Sequence, residues 1–310
     1  MSLAIVTTTN EGHVLAADSM ETYKNSIGDV RNGSFSRMKI FQLNKEAGIT
    51  VCGLSYLDGK SIGQHLAAYM REQSFEIMTL EQIASTLYDL FIGKYNAYIK
   101  EFEDKKADEL RQFGCKDIQT ESELERVTVR YLDLAGKEMK QDFYQPLLEF
   151  LLAGFNPDGT SGVYKITIPD AKDKGGIMQK LAPGHCGATW IGQTDVLVRL
   201  VRGWSPEIKR NKVIAELPQV KREDFLHALD DQEYIINWAT MTVQDAINFS
   251  SLAIRTTENL QQITDGTYAA PGSSPGVGGP IDIAVITPEK GFFWVKRKTL
   301  RIGNTSVDME

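Results

Sequence analysis

The chain has 310 residues, 42% of them hydrophobic and 24% charged, with a formal net charge of −7 at pH 7. Such a balance describes a globular chain with ample core-forming material. The acidic surplus, with no Lys/Arg stripe carrying interleaved aromatics, excludes a general nucleic-acid binder. Three scattered cysteines, Cys52, Cys115 and Cys186, form no CxxC pair, which excludes a disulfide framework and a thiolate zinc site and predicts a reducing compartment. The longest apolar stretch, Leu147–Phe155, is too short to span a bilayer, and no signal-peptide pattern opens the chain. A cytoplasmic protein with neither membrane nor nucleic acid as partner is expected.

Taken in chain order, Leu3–Thr9 and Gly12–Ala17 read as a β-hairpin around an Asn-Glu-Gly turn. A turn-rich stretch, Tyr23–Ser36, precedes a second strand pair, Lys39–Leu43 and Gly48–Gly53. Ile62, Leu66, Tyr69 and Met70 mark one helix. Thr79 is the N-cap of another that carries Leu80, Ile83, Leu87, Leu90 and Phe91 on one face. The charge-dense segment Glu101–Asp142 reads as exposed helical or partly mobile material. Leu147–Phe155 and Gly162–Ile168 form a further strand pair around the turn Asn156-Pro-Asp-Gly159. Helices at Gln193–Val201 and Val243–Leu260 flank a second charged piece, Lys209–Asp231. After a Gly/Pro/Ser-rich loop, Thr264–Pro280, come two last strands, Ile281–Ile286 and Phe292–Arg297. Strands, two helices, strands, two helices, strands is the order expected of a four-layer α/β/β/α sandwich, an α+β fold in one domain over residues 1–310. Segments at about 101–142 and 203–238 read as insertions into it.

The chemistry is concentrated at the start. If Met1 is removed, Ser2 carries a free α-amine, whose ordinary pKa of about 7.7 to 8.0 lets it serve as general base for its own hydroxyl. Sixteen residues on stands Asp18, at the end of Ala16-Ala17-Asp18; Lys39-Ile40 opens a strand, and fourteen residues after Lys39 comes Gly53. Other candidates read as structural. Adjacent His185 and Cys186 point to opposite faces of a strand. The loop Gly272–Gly279 lacks the Lys-Ser/Thr ending of a phosphate loop, and Asp158-Gly159 lacks a calcium ligand ladder. No cofactor and no metal are expected.

These intervals resemble proteasome β-type subunits of the N-terminal nucleophile hydrolase superfamily. The matching pieces are Gly12 with Ala16-Ala17-Asp18, the Lys39 to Gly53 interval, Leu152-Ala-Gly154-Phe155 to Tyr164, Ile191-Gly192, and Gly278-Gly279-Pro-Ile-Asp282-Ile-Ala-Val-Ile286. The resemblance implies a Ser2 nucleophile, Lys39 as a cation near its amine, Asp18 holding Lys39, and the Gly53 N–H as oxyanion donor. It places Thr22 and Ser55 on the substrate-binding side. It further implies cleavage of a peptide or other amide bond and a homo-oligomer, possibly a ring. The pattern departs at Met20, where the family has Arg, at Gln193 in place of a supporting Ser, and at Val277-Gly278-Gly279, with Asp265 displaced from the family's acidic motif. Two alternatives stand beside hydrolysis: a catalytically silent structural subunit, or an acylase or transpeptidase acting on one specific amide.

Overall fold

The computed structural model describes residues 2–24, 30–170, 176–267, 270–271, 275–302 and 305–307. The chain divides into two compact units, one made of residues 1–40 and 184–310, the other of residues 41–183.

The first unit begins with the hairpin β1 (Leu3–Thr9) and β2 (Gly12–Ala17), buried along its whole length. The run Ile5-Val6-Thr7-Thr8-Thr9 is β-branched throughout, which stiffens χ1 and favours the extended pleat. The register from Ala4↔Ala17 to Thr9↔Gly12 leaves Asn10 and Glu11 as an exposed turn. A ribbon of β3 (Glu21–Lys24) and β4 (Val30–Ser34) follows.

The second unit begins within β5 (Ile40–Gln42) and holds β6 (Ala47–Gly53), the short pair β7 (Tyr56–Leu57) and β8 (Lys60–Ser61), then α1 (Ile62–Glu72) and the 33-residue α2 (Leu80–Gln112). Both helices open on reciprocal capping boxes, Ser61 with Gln64 and Thr79 with Gln82, which satisfy backbone donors at each N-terminus. Along α2, Leu80, Ile83, Leu87, Phe91 and Tyr95 recur every three or four residues and are buried. They pack in one core with Phe150, Leu152 and Ile166. The Phe91 ring lies 5.1 Å from that of Phe150 and edge-on to His65 at 6.1 Å. Phe150 and Leu152 belong to β12 (Leu148–Phe155), in a sheet ordered β14 (Ile177–Leu181), β13 (Ser161–Ile168), β12, β6, β5.

The segment Glu101–Asp142 corrects the sequence expectation. It is helical only to Gln112, after which β9 (Lys116–Glu123), β10 (Arg126–Leu132) and β11 (Glu138–Tyr144) form an antiparallel three-stranded sheet. Its outer strands are mostly exposed, so their polar side chains hide the apolar alternation that betrays a strand. β10 buries Val127, Val129 and Tyr131 in the core, while Ile118 of β9 and Met139 and Phe143 of β11 pack against it half-buried.

The chain then returns to the first unit with β15 (Gly187–Gly192), α3 (Asp195–Arg202), α4 (Lys212–Ala215), α5 (Gln219–Asp230), α6 (Val243–Ile263), the two-residue strands β16 (Gly266–Thr267) and β17 (Ala270–Pro271), β18 (Asp282–Thr287) and β19 (Gly291–Lys296). An antiparallel sheet ordered β15-β1-β2-β18-β19 places β1 and β2 near its centre. Leu3 and Ile5 of β1 and Val14 and Ala16 of β2 form its core with Leu197 and Val201 of α3 and Ala246, Ala253 and Ile254 of α6. By contrast α4 and α5 carry no buried residue.

A four-layer α/β/β/α sandwich is therefore not the architecture observed. The structure is a mixed α/β arrangement in which each unit has its own five-stranded sheet and its own core, with a separate three-stranded sheet in the second unit. The order of elements along the chain does not determine which strands share a sheet: β15, far along the sequence, pairs with β1, while β14, just before it, belongs to the other sheet. No helix among the described residues is long and apolar enough to cross a membrane.

Phe91, fully buried, and Ile235, at 101% exposure, give opposite expectations. Phe91→Ala lowers the unfolding free energy by about 3 to 5 kcal/mol in urea denaturation, whereas Ile235→Ala changes it by less than about 0.5 kcal/mol.

Candidate functional site

Strand β2 ends at Ala17, and the next residue, Asp18, turns its carboxylate into the interior, where it is 0% exposed. Lys39, just before β5, reaches it with Nζ at 2.7 Å from Oδ1 and donates also to the Met20 carbonyl at 2.6 Å. A buried ion pair of this kind survives desolvation only when its remaining hydrogen-bonding capacity is filled. Here it is filled by backbone. The Leu3 N–H donates to Oδ1 at 3.0 Å, and the N–H groups of Met20 and Gly278 donate to Oδ2 at 3.1 and 3.0 Å.

Ser2 stands one residue before that contact. The amide joining Ser2 to Leu3 supplies the N–H bound by Asp18, so Ser2 is tethered to the same carboxylate oxygen that holds the Lys39 ammonium. The Ser2 carbonyl accepts from the Gln193 N–H at 2.7 Å, and the residue is buried. Met1, whose removal the sequence reading requires, lies outside the described residues.

The Gly-rich segment 276–279 closes this region, and α6 holds it there. Gln261 accepts from the N–H groups of Gly276 and Val277 and donates to the Gln193 side chain at 3.0 Å. Glu258, paired with Arg255, accepts from the Gly279 N–H at 3.2 Å. Four successive backbone donors thus meet four side-chain acceptor contacts, one of them Asp18. A Cβ on Gly278 would lie 3.2 Å from Met20 Sδ, a close fit that favours the bare backbone. In the sequence, Gln193 figured only as a departure from a pattern, and Gly278-Gly279 both as the lead-in to a matching closing strand and as a remnant of the acidic motif; Gln261 and Glu258 carried no signal beyond helix periodicity.

A second ion pair adjoins the first. Asp282, the first residue of β18 and the cross-strand partner of Ala17, is 1% exposed. It takes the Lys298 N–H at 2.8 Å on Oδ1 and the Lys298 ammonium on Oδ2. That ammonium also donates to Ser19 Oγ at 3.0 Å, and Ser19 Oγ donates to the Pro280 carbonyl. Burial pushes the Lys298 ammonium below the ordinary lysine range; the hydrogen bond and charge of Asp282 oppose this, and the positive charge of Lys39 adds to it. Neither Lys298 nor its pairing with Asp282 was legible in the sequence, because a lysine past the last predicted strand carries no spacing signal.

The remaining candidates are described each within its own unit. Gly53 ends β6 in the second unit, with φ 93°. A Cβ there would lie 1.7 Å from the Leu147 carbonyl oxygen, so strand geometry by itself demands glycine. Ser55 follows it in the same unit, its carbonyl accepting from the Ile62 N–H at 3.2 Å. Thr22 lies on β3, opposite Asn32. Asp265 is exposed just beyond α6. The Cys186 thiol donates to Asn10 Oδ1 at 3.3 Å, and burial pushes its pKa up, away from the reactive thiolate. Among the described residues, no group of three or more His, Cys, Asp or Glu side chains is placed to hold a metal ion.

No protein-family model matches the chain, and no curated protein matches it in sequence. Among solved structures it is similar to Anbu (ancestral beta-subunit) from Yersinia bercovieri, at 12% identity and TM-score 0.47, covering 94% of this chain and 87% of that one. A Gly-1 mutant of Anbu from Hyphomicrobium sp. strain MC1 gives 11% identity and TM-score 0.47, covering 96% and 86%. The helical assembly of the Anbu complex from Pseudomonas aeruginosa gives 12% and 0.45, covering 94% and 86%. The identification as a proteasome β-type subunit of the N-terminal nucleophile hydrolase superfamily is thereby overturned. The intervals that suggested it are a few residues each, and neither a family model nor a curated sequence reproduces them. The structural likeness, at this identity and superposition, assigns no family and no activity to the chain.

Proposed function

We propose that this protein hydrolyses amide bonds through an acyl-enzyme on Ser2, with the α-amine released by removal of Met1 as general base. The observation that carries this reading is the shared oxygen of Asp18: it binds the Lys39 ammonium at 2.7 Å and the N–H of the Ser2–Leu3 amide at 3.0 Å. A buried charge pair is thus bonded to the backbone one residue along the chain from Ser2.

The chemistry follows from that placement. A cation near the Ser2 amine disfavours a second positive charge, leaving more of the amine neutral and able to take the hydroxyl proton. Ser2 Oγ attacks the amide carbonyl, the α-amine receives the proton, and the same proton passes to the departing nitrogen as the C–N bond breaks. Water, deprotonated by the amine, then attacks the ester carbonyl; the acyl C–Oγ bond breaks, the amine returns the proton to Ser2 Oγ, and the acid is released. Asp18 accepts no proton in this sequence. It holds Lys39 and, through the Leu3 N–H, the start of β1.

The first test is intact mass of the protein, carrying no tag before residue 1, with and without a peptide β-lactone. Loss of Met1 and an adduct mapped to Ser2 are expected, and Ser2→Ala abolishes the adduct. Retained Met1 with no adduct overturns the hydrolase reading in favour of an interaction subunit. Lys39→Met slows acylation by at least about 100-fold, measured by time-resolved mass spectrometry. Asp18→Ala leaves Lys39 buried without its counter-ion and costs about 3 to 5 kcal/mol of stability in chemical denaturation.

A further inference from the structure

The Asp282–Lys298 pair joins a buried carboxylate to a half-buried lysine at the sheet end that also carries Asp18, and no step of the proposed reaction uses it. Its contacts run toward the site. The Lys298 ammonium bonds Ser19, the residue after Asp18; the Ser19 N–H donates to the Gly278 carbonyl at 3.0 Å; and the Gly278 N–H donates to Asp18. The charged groups facing Lys298 are Asp282, Lys39 and Asp18. Two ammonium groups and two carboxylates therefore share one buried region, each cation hydrogen-bonded to its own carboxylate and each pair within the field of the other.

We infer that Lys298 is a positioning residue for the Ser2 centre: its ammonium anchors the Asp18–Ser19 segment through the Ser19 hydroxyl, and its charge adds to that of Lys39. The inference rests on the reading of Ser2 as nucleophile. Two positive charges disfavour protonation of the Ser2 amine more than one does, so Lys298 extends the range of pH over which that amine acts as base. The depressed pKa of Lys298 itself agrees with a region where a further positive charge is costly. A lysine serving only to pack the final segment would have no such reach. It would change stability, or the rate at every pH alike, without moving a titration.

The test is the rate of Ser2 acylation by a peptide β-lactone between pH 5.5 and 9 in the full-length protein, for the wild type, Lys298→Met and Lys298→Arg. In Lys298→Met the acidic limb moves up by about one unit, an approximately tenfold loss of rate near pH 6 with little loss at pH 9. Lys298→Arg keeps the wild-type limb. A uniform loss at all pH values, or an unmoved limb in Lys298→Met, overturns the inference and leaves the Ser2 reading standing. A folded wild type that takes no adduct at any pH overturns both. Should Lys298→Met not fold, as circular dichroism would show, the coupling is read in the unmutated protein from the ¹³Cε resonances of its lysines. A Lys298 resonance that shifts as the Ser2 amine titrates supports the inference; one that does not respond to it overturns the inference.

Discussion

The carboxylate of Asp18 organises the first unit. It is fully excluded from water, yet it is charged and carries four donors drawn from four separated stretches of chain: Leu3, Met20, Lys39 and Gly278. An isolated carboxylate in an apolar interior costs several kcal/mol even after relaxation, so each of those donors is held in place by the cost of its removal. The start of β1, the exit from β2, the approach to β5 and the Gly-rich loop before β18 are thus fixed relative to one another by a single group. Hydrophobic packing under the sheet supplies the larger share of stability, but packing is non-directional. The carboxylate provides the direction.

The same economy appears one strand away. Asp282 sits beside Ala17 in the ladder, and its partner Lys298 approaches from the segment after β19. Carboxylates at the ends of adjacent strands would repel each other if left bare. Two lysines cancel them pairwise and leave a buried patch that is neutral in sum but strongly structured in charge. A region of that kind suits chemistry in which a proton must leave and return without bulk water, because fixed charges in a poorly screened environment act over longer distances than they do at the surface. It also explains the glycines of segment 276–279. Backbone N–H groups can serve Asp18, Glu258 and Gln261 at once only where side chains do not intervene, and Gly278 already has Met20 and Glu258 within van der Waals reach of a Cβ.

Local features were plain in the amino-acid order. The β-branched run from Ile5 to Thr9 and its Asn-Glu-Gly turn specify a hairpin whatever follows, and Thr79 with Gln82 specifies a helix start, because the interactions responsible lie within a few residues. The polar outer strands β9 and β11 were not recognisable: their side chains mostly face water, so no apolar period marks them, and they exist because β10 pairs with both. Within the site, Asp18 and Lys39 stood out through their spacing. Gln261, Glu258 and Lys298 did not, and Asp282 appeared only within a closing strand, since their contacts to Gln193, Gly279 and Ser19 depend on segments that no local pattern brings together.

The sequence by itself thus determined the hairpin, the helix caps, the apolar faces of α2 and α6, and the presence of a serine, an aspartate and a lysine at intervals suited to one another. Which strands share a sheet was a tertiary decision. So were the division into two units with separate cores, the enclosure of Asp18 by a loop 260 residues away, and the second ion pair beside it. The physical reason is one of range. Propensity, capping and periodicity act over one or two turns of chain, whereas the burial of a charge is settled only when distant segments arrive together to satisfy it.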